Sequence, residues 1–264
     1  MNKFLIIRLS SMGDIIHTLP AYSALRKYFP DAEISWLVEA KGKEILDLVP
    51  GLDRVTPVTL KNWKLGSRRF QKEFSSLRKE IRDKNQVAID FQGLVKSGLF
   101  SYLSGSRRRI GFHRKNLREP LASVFYTEQL DEVSEENHVI DKNLKLLSLL
   151  GVEEREYDFP LELPEGLSGS IKEKLHGLGW DREKKLVLLN VGAAWKTKRW
   201  FVDRWIQLIR TIKSEKIFPV LLWGNEEERK LADQVSRETG VPPAPLLTLA
   251  EVMALIKDAS LVVS

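Results

Sequence analysis

The chain has 264 residues, 43% of them hydrophobic and 30% charged, a composition that is ordinary for a globular protein of two modest domains. Its 42 Lys and Arg outnumber its 36 Asp and Glu, and the formal net charge of +6 favours anionic partners. Because cysteine is absent and no apolar run approaches the ~20 residues that span a bilayer, disulfides and thiolate metal sites are excluded, and we expect a soluble cytoplasmic protein.

In the first part of the chain, apolar runs typical of strands alternate with amphipathic stretches typical of helices. The predicted strands are residues 4–7, 34–38, 54–58, 87–90 and 109–112, and the predicted helices are residues 15–28, 41–48, 69–83, 94–103 and 138–150. Pro20 falls inside the first helix, and we expect it to start a new turn or a kink, with Thr18 as the cap. This alternation predicts βαβ units and a mostly parallel sheet.

The pattern is interrupted at residues 158–166, where two prolines and a glycine indicate an extended linker. It then restarts, with predicted strands at 185–191, 217–223 and 261–263 and predicted helices at 200–213, 226–238 and 252–257. We therefore predict an α/β protein with an N-terminal domain at residues 1–165 and a C-terminal domain at residues 166–264. The last predicted strand is of the buried type with no helix after it, so we expect the second domain to be incomplete.

The first predicted β-to-α turn, residues 10–14, places two serines, a glycine and an aspartate together. Gly13 lets the main chain approach a ligand closely, and the hydroxyls of Ser10 and Ser11 suit an anion or a sugar hydroxyl. Two interpretations of Asp14 stay open, a helix N-cap or a general base at the carboxyl edge of the sheet. The turn is neither a dinucleotide fingerprint nor a P-loop, so NAD binding and ATP hydrolysis are not indicated.

Further polar residues are expected along this edge. Gln92 and Lys96 follow a predicted strand and are candidates to contact a polar ligand, although Lys96 is equally explained as an ordinary surface residue. Two basic clusters, one at residues 61–72 and the other at residues 107–118, indicate either solvated surface or a surface for phosphates, carboxylates or an anionic membrane. No nucleic-acid motif surrounds them, so no nucleic-acid partner is predicted.

In the second predicted domain, residues 190–200 form the first β-to-α turn, where small residues are followed by Lys196, Lys198 and Arg199. Cations at this edge suit a diphosphate, because they stabilise the charge of the leaving group. At the next turn Asn225 is a natural N-cap, and a glutamate of the acidic first helical turn is a candidate to bind a ribose hydroxyl. The four histidines lack metal-ligand spacing, so no metal site is predicted.

Taken together, these segments resemble glycosyltransferase family 9, the ADP-heptose-using lipopolysaccharide heptosyltransferases. The resemblance is carried by residues 10–20, 92–97, 118–126, 198–200, 223–229 and 261–264. It implies a GT-B arrangement of two Rossmann-like domains facing a cleft, and inverting transfer of L-glycero-D-manno-heptose from ADP-heptose to Kdo of Kdo-lipid A. It also implies a position on the cytoplasmic face of the inner membrane, and no cofactor or tightly bound metal.

The resemblance also implies roles for single residues. Asp14 is expected to be the general base, Lys198 to stabilise the diphosphate, Glu226 to hold the ribose and Leu247 to pack on adenine. The expected donor-binding residues are Ser10, Ser11, Gly13, Ala193, Ala194, Lys198, Glu226 and Leu247. The expected acceptor-binding residues are His17, Lys61, Lys64, Arg68, Arg69, Gln92, Lys96 and Arg118.

The family pattern continues beyond Ser264 with an Asp-[Thr/Ser]-Gly-x-x-His segment that receives the donor phosphates. We therefore expect this chain to bind the donor poorly and to turn over slowly. Two alternatives stay open: a sister heptosyltransferase that adds a later heptose, and a non-catalytic fragment that binds a nucleotide sugar or a glycolipid.

Overall fold

The computed structural model describes the main chain at residues 2–59, 68–83, 86–193, 196–212 and 214–264, and the side chains of these residues except 68–74 and 196. The chain divides into two compact units, Met1–Glu162 and Leu163–Ser264, close to the predicted boundary. Both units have a parallel sheet with flanking helices, so the predicted α/β class is confirmed. Among the described residues, no helix combines the length and apolarity needed to cross a bilayer.

The described residues of the first unit form six strands and six α-helices. The strands are β1 Lys3–Ile7, β2 Glu33–Glu39, β3 Arg54–Val58, β4 Gln86–Asp90, β5 Arg108–Gly111 and β6 Glu128–Gln129. The helices are α1 Met12–Ile16, α2 Leu19–Tyr28, α3 Lys43–Leu46, α4 Arg68–Ile81, α5 Val95–Leu103 and α6 Val139–Leu146. The five predicted strands are all present, and the additional β6 has only two residues, too few to produce a recognisable pattern.

The strand order of the first sheet is β3-β2-β1-β4-β5-β6, and all its pairings are parallel. The order reverses between β1 and β4, where Ile7 pairs with both Leu37 and Asp90. Ligands of open parallel sheets bind at the carboxyl edge beside such a reversal. The turns after β1 and β4 therefore lie side by side at the position where a ligand site is expected.

Alternating side chains of β1 pack on opposite faces of the sheet, as the period of a strand requires. Leu5 and Ile7 share a buried cluster with Ile81 of α4 and Phe100 of α5. On the other face, Phe4 packs on Phe29 after α2, with ring centroids 5.0 Å apart. The sheet is therefore covered on both faces, which holds its carboxyl edge in a fixed place.

The helix predicted at residues 15–28 is interrupted at Thr18. Pro20 is the second residue of α2, so the prediction that a new turn starts at this proline is confirmed. Thr18 is the N-cap residue of α2, as predicted, but its side chain makes no capping hydrogen bond. Its hydroxyl instead donates a hydrogen bond backwards to the carbonyl of Asp14 (2.8 Å), which ties α1 to the start of α2.

In the second unit, three strands and four α-helices are present in the part of the chain that the structure describes. They are α7 Leu167–Gly177, β7 Lys185–Asn190, α8 Val202–Ile212, β8 Ile217–Leu222, α9 Glu226–Thr239, α10 Leu249–Asp258 and β9 Leu261–Val263. The sheet order is β8-β7-β9, with both pairings parallel. Leu186 and Leu188 of β7 pack with α7 and α10, while Val187 and Leu189 pack with α8 and α9. The loop after β7 therefore leaves the middle strand of a sheet covered on both faces.

Candidate functional site

Asp14 lies in the first turn of α1, beside the reversal in the first sheet. Its Oδ2 accepts hydrogen bonds from the N–H of Ser11 (3.0 Å) and from the Ser11 hydroxyl (3.1 Å). Ser11 is the N-cap residue of α1, and Asp14 is the third helical residue of a capping box. The interpretation of Asp14 as the N-cap itself is therefore wrong. The interpretation as a general base stays a prediction, and the 40% exposure of its side chain leaves it accessible.

The other carboxylate oxygen of Asp14 faces a buried arginine. Asp14 Oδ1 lies 3.0 Å from Nη2 of Arg8. Partial burial acts to raise the pKa of Asp14, but the N–H of Ser11 and the charge of Arg8 outweigh it, so this pKa lies below its ordinary value. Asp14 is consequently ionised at neutral pH, which is the state a proton acceptor needs.

Arg8 was overlooked in the sequence. Its guanidinium donates to the carbonyl of Phe91, after β4, as well as to Asp14, and its own carbonyl accepts from the indole N–H of Trp36 (3.2 Å). Burial lowers the pKa of Arg8, although an arginine stays protonated at neutral pH. The position of Arg8 in the sequence is the signal that identifies it. Because Arg8 directly follows the apolar run of β1, its side chain must either extend into solvent or pair with an anion near the sheet.

The turn after β4 is fastened to the turn after β1 by Gln92. Its side-chain carbonyl accepts the N–H groups of Leu9 (2.9 Å) and Ser10 (3.2 Å). The structure thus places Gln92 beside residues 10–14, as predicted for this edge. Its carbonyl oxygen is engaged within the protein, so Gln92 orients the turn that carries Asp14, and its contact with an acceptor stays a prediction.

Beneath Gln92, Asp90 is a buried carboxylate with several donors. It accepts hydrogen bonds from the hydroxyl of Tyr126 (2.8 Å) and from the N–H groups of Gln92 (2.8 Å) and Gly93 (3.2 Å). Burial raises the pKa of Asp90, and burial together with the Asp90 charge raises the pKa of Tyr126. Asp90 therefore organises the main chain under the site, and its long-range partner Tyr126 has no signature in the local sequence.

The remaining predicted acceptor residues are spread along the first unit. Lys96 forms an ion pair with Glu39 at the end of β2 (3.0 Å). His17 follows α1, and its ring meets that of His138 edge to face, with centroids 5.7 Å apart. Arg118 is exposed. Lys61 and Lys64 lie outside the described residues, and Arg68 and Arg69 begin α4 with side chains that are not described.

In the second unit, Glu228 joins the turns after β7 and β8. Its carboxylate accepts the N–H of Gly224 (2.8 Å), and its own N–H donates to the side chain of Asn225 (3.0 Å), which confirms Asn225 as the N-cap of α9. The carboxylate also fills the space beside Gly192, where a Cβ atom would collide with it. Gly192 is therefore required for close packing of these two turns.

The cations after β7 have different surroundings. Arg199 donates to the carbonyl of Ala193 (3.2 Å) and pairs with Glu227 (3.2 Å), so it closes the loop. Lys198 is exposed at the end of a short 3₁₀ helix. Glu226 is the exposed first residue of α9, and Leu247 packs in part on the buried cluster of α7 and α10. Ala194 lies outside the described residues.

These features suit group transfer. The first unit has an ionised, accessible carboxylate at a sheet edge, and the second unit has an exposed lysine and a helix N-terminus at the corresponding edge of its own sheet. Within the described part of the chain, no group of three or more His, Cys, Asp or Glu residues is arranged to hold a metal ion.

Residues 74–264 match the family model of glycosyltransferase family 9 (heptosyltransferase). Lipopolysaccharide heptosyltransferase 1 of Pseudomonas aeruginosa is 28% identical over 259 residues, covering 96% of this chain and 70% of the relative. Lipopolysaccharide heptosyltransferase 1 of Campylobacter coli is 30% identical over 282 residues, covering 99% of this chain and 77% of the relative. Escherichia coli heptosyltransferase WaaC, solved with ADP-2-deoxy-2-fluoro heptose, superimposes with a TM-score of 0.82 at 24% identity, covering 98% of this chain and 81% of that one. The chain therefore belongs to glycosyltransferase family 9 and is a glycosyltransferase.

Proposed function

We propose that this chain is a lipopolysaccharide heptosyltransferase that moves L-glycero-D-manno-heptose from ADP-heptose to Kdo of Kdo-lipid A. The names of its curated relatives support the heptosyl transfer, and the ADP-heptose analogue bound to WaaC supports the donor class. One structural observation carries the proposal: an ionised, accessible carboxylate, Asp14, lies at the reversal point of the acceptor-side sheet.

The proposed step is a direct displacement with inversion. The Kdo hydroxyl oxygen forms a bond to the anomeric carbon of heptose while the bond from that carbon to the diphosphate oxygen breaks. The hydroxyl proton passes to Asp14, and the bonding electrons leave with ADP. Because Asp14 is held by Arg8 and Ser11, it enters the reaction already oriented and ionised.

Most of the proposed donor-binding residues lie in the second unit, and three of them, Ser10, Ser11 and Gly13, belong to the first. Lys198 stabilises the departing diphosphate, Glu226 binds the ribose, and Leu247 packs on the adenine. The main chain at Ala193 approaches the phosphates, and Ala194, outside the described residues, keeps its predicted role as a donor-binding residue. Ser10, Ser11 and Gly13 line the reacting sugar. The charge of Lys198 at the leaving group takes the place of a metal ion, so we propose a reaction without a cofactor or tightly bound metal.

The proposed acceptor site lies in the first unit. Kdo carboxylates and lipid A phosphates are bound by five cations: Lys61, Lys64, Arg68, Arg69 and Arg118. His17 borders the reacting hydroxyl. Gln92 and Lys96 hold the edge of this site through their contacts with the 9–10 turn and Glu39. The lipid-linked acceptor places the enzyme peripherally on the cytoplasmic face of the inner membrane.

The test is transfer from ADP-heptose to two acceptors, one ending in Kdo and one that already carries a heptose. Asp14→Asn is expected to lower kcat by about 10²–10⁴-fold while ADP affinity stays unchanged, because the amide cannot accept the proton. Asp47→Asn, which alters an exposed carboxylate paired with Lys43, is the matched control and should keep full activity. Retained activity in Asp14→Asn would remove the base assignment. Preference for the heptose-bearing acceptor would favour the sister enzyme.

A further inference from the structure

A second surface of the first unit exposes neighbouring apolar side chains. The 3₁₀ helix Pro120–Phe125 presents Leu121 and Val124 at 67% and 72% exposure. With three residues per turn, positions i and i+3 of a 3₁₀ helix share a face. Tyr102 of α5 is 58% exposed, and its ring lies 6.3 Å from that of Phe125. We call Tyr102, Leu121 and Val124 the apolar ridge.

The backbone that carries the ridge is firmly anchored. A Cβ atom at Gly98 of α5 would lie 2.9 Å from the Phe125 ring and 3.1 Å from the Ala122 carbonyl, so the helix and the 3₁₀ segment are in close contact. At one end Glu119 accepts the N–H of Val95 (2.7 Å), and at the other end Tyr126 donates to the buried Asp90. The exposure of Leu121 and Val124 is therefore a property of an ordered surface.

Arginines flank the ridge: Arg114 and Arg118 precede the 3₁₀ helix in the sequence, and Arg109 lies 5.7 Å from the centre of the Tyr102 ring and donates to the Phe125 carbonyl (2.7 Å). Arg107, Arg114 and Arg118 are exposed, and no carboxylate of the described residues lies within ion-pair distance of them. The acidic residues nearby are already engaged: Glu128 binds Arg108 through both oxygens (2.7 Å each), and Glu119 binds the N-terminus of α5. Arg107, Arg108, Arg114 and Arg118 outnumber the carboxylates of Glu119 and Glu128, so the formal charge of this surface is positive.

An apolar centre with a cationic border matches one partner best. Aliphatic side chains gain from leaving water for the acyl boundary, while arginines gain from lipid phosphates at the same depth. A second copy of this chain would place its own arginines against these, which is repulsive. A nucleic acid would satisfy the arginines but not the aliphatic side chains.

We propose that the apolar ridge and its flanking arginines seat this chain on an anionic phospholipid bilayer. Leu121 and Val124 enter the acyl boundary, Tyr102 lies at the headgroup level, and Arg107, Arg114 and Arg118 contact lipid phosphates. The proposal rests on the proposed function only in that a lipid-linked acceptor brings the first unit to the membrane.

The test is co-sedimentation with vesicles of phosphatidylcholine alone or with phosphatidylglycerol. The wild type should bind the anionic vesicles, and added salt should weaken this binding. Leu121→Ser with Val124→Ser should lower the partition coefficient by at least about tenfold. Ile256→Ser, which changes an exposed aliphatic residue of α10, is the matched control and should bind like the wild type.

A second variant tests the flanking arginines, and it keeps the proposal testable if the first variant does not fold. Arg107→Gln with Arg114→Gln changes only exposed side chains and should lower binding to anionic vesicles by about fivefold per arginine at low salt. The proposal is overturned if both double variants bind like the wild type. It is also overturned if the wild type ignores phosphatidylglycerol, or if Leu121→Ser with Val124→Ser instead abolishes self-association seen in the wild type.

Transfer to a deacylated acceptor, measured without vesicles, separates this proposal from the proposed function. The ridge variants should keep wild-type transfer, and Asp14→Asn should keep wild-type vesicle binding. Absence of heptose transfer in the wild type and in every variant, with vesicle binding of the wild type intact, would contradict the proposed function alone.

Discussion

The pairing of Arg8 with Asp14 gives the sharpest prediction. Arg8→Met keeps an unbranched apolar side chain in the buried space and removes the charge that lies 3.0 Å from Asp14 Oδ1. Asp14 then loses the partner that favours its ionised form, so its pKa should rise toward the ordinary value. The acidic limb of the pH dependence of kcat/KM should therefore move to higher pH.

The size of the effect follows from the distance. Two unit charges 3.0 Å apart attract by about 1.4 kcal/mol in a water-like medium and about 5.5 kcal/mol at an effective dielectric constant of 20. Because 40% of the Asp14 side chain is exposed, solvent screens the pair and we use the lower figure. That corresponds to about a tenfold higher proton affinity of Asp14 in the variant.

The assay that isolates this effect is a carboxyl ¹³C titration of Asp14, which requires no turnover. Arg8→Lys keeps a charge and should restore part of the wild-type titration. Arg26→Met is the matched control, since Arg26 also binds a carboxylate, Asp53 (2.8 Å), and main-chain carbonyls, but not Asp14. An Asp14 titration that is the same in Arg8→Met and the wild type would refute the electrostatic role of Arg8.

The same pair makes a signed prediction for stability. A carboxylate whose folded pKa lies below its unfolded pKa stabilises the fold above the unfolded value, and this contribution is lost as the pH falls through the folded value. The cost of Arg8→Met in the free energy of unfolding should therefore be larger near neutral pH than in acid. The part that persists in acid reflects the lost hydrogen bond to the Phe91 carbonyl.

Two further substitutions test the packing under each half of the site. Gly192→Ala should displace the Glu228 carboxylate from the N–H of Gly224, destabilise the second unit by about 1–3 kcal/mol and weaken ADP binding in calorimetry. Gly169→Ala in α7, where a Cβ atom would meet no neighbouring atom, is the control and should raise the free energy of unfolding by about 0.5–1 kcal/mol. Equal changes in the free energy of unfolding of the two variants would contradict this reasoning. Tyr126→Phe should cost about 1–3 kcal/mol in urea unfolding, because it removes a donor from buried Asp90. That cost should shrink as the pH falls below the raised pKa of Asp90, whereas Tyr157→Phe, which alters an exposed contact with Asp141, should have little effect at any pH.

The fold was largely predictable because its strands are apolar runs between turn residues. The runs of β1, β2 and β4 are buried on both faces and stand out in any sequence window. Helix α7 was not predicted, since Gly169 and Gly177 weaken its helical pattern. Helix α10 begins before the predicted start, because Thr248 and Glu251 form a capping box there.

The site was predictable as a location more than as a set of contacts. The turn at residues 10–14 and Gln92 come together because both follow strands of one parallel sheet. Their partners depend on tertiary structure: Arg8 reaches Phe91, and Lys96 reaches Glu39, across long separations in sequence. Local patterns carry no information on such pairs, so the sequence does not predict that Gln92 binds the main chain of the first turn or that Lys96 pairs with Glu39.

The hydrogen bonds described above between the turn after β1 and the turn after β4 each join a side chain of one turn to a main-chain atom of the other. Arg8 holds the carbonyl of Phe91, and Gln92 holds the N–H groups of Leu9 and Ser10. Main-chain atoms are the same whatever side chain a residue has. Of these three positions, the partly exposed position 10 is therefore the one whose side chain can change without loss of the geometry that aims Asp14, because Leu9 and Phe91 are buried in the core.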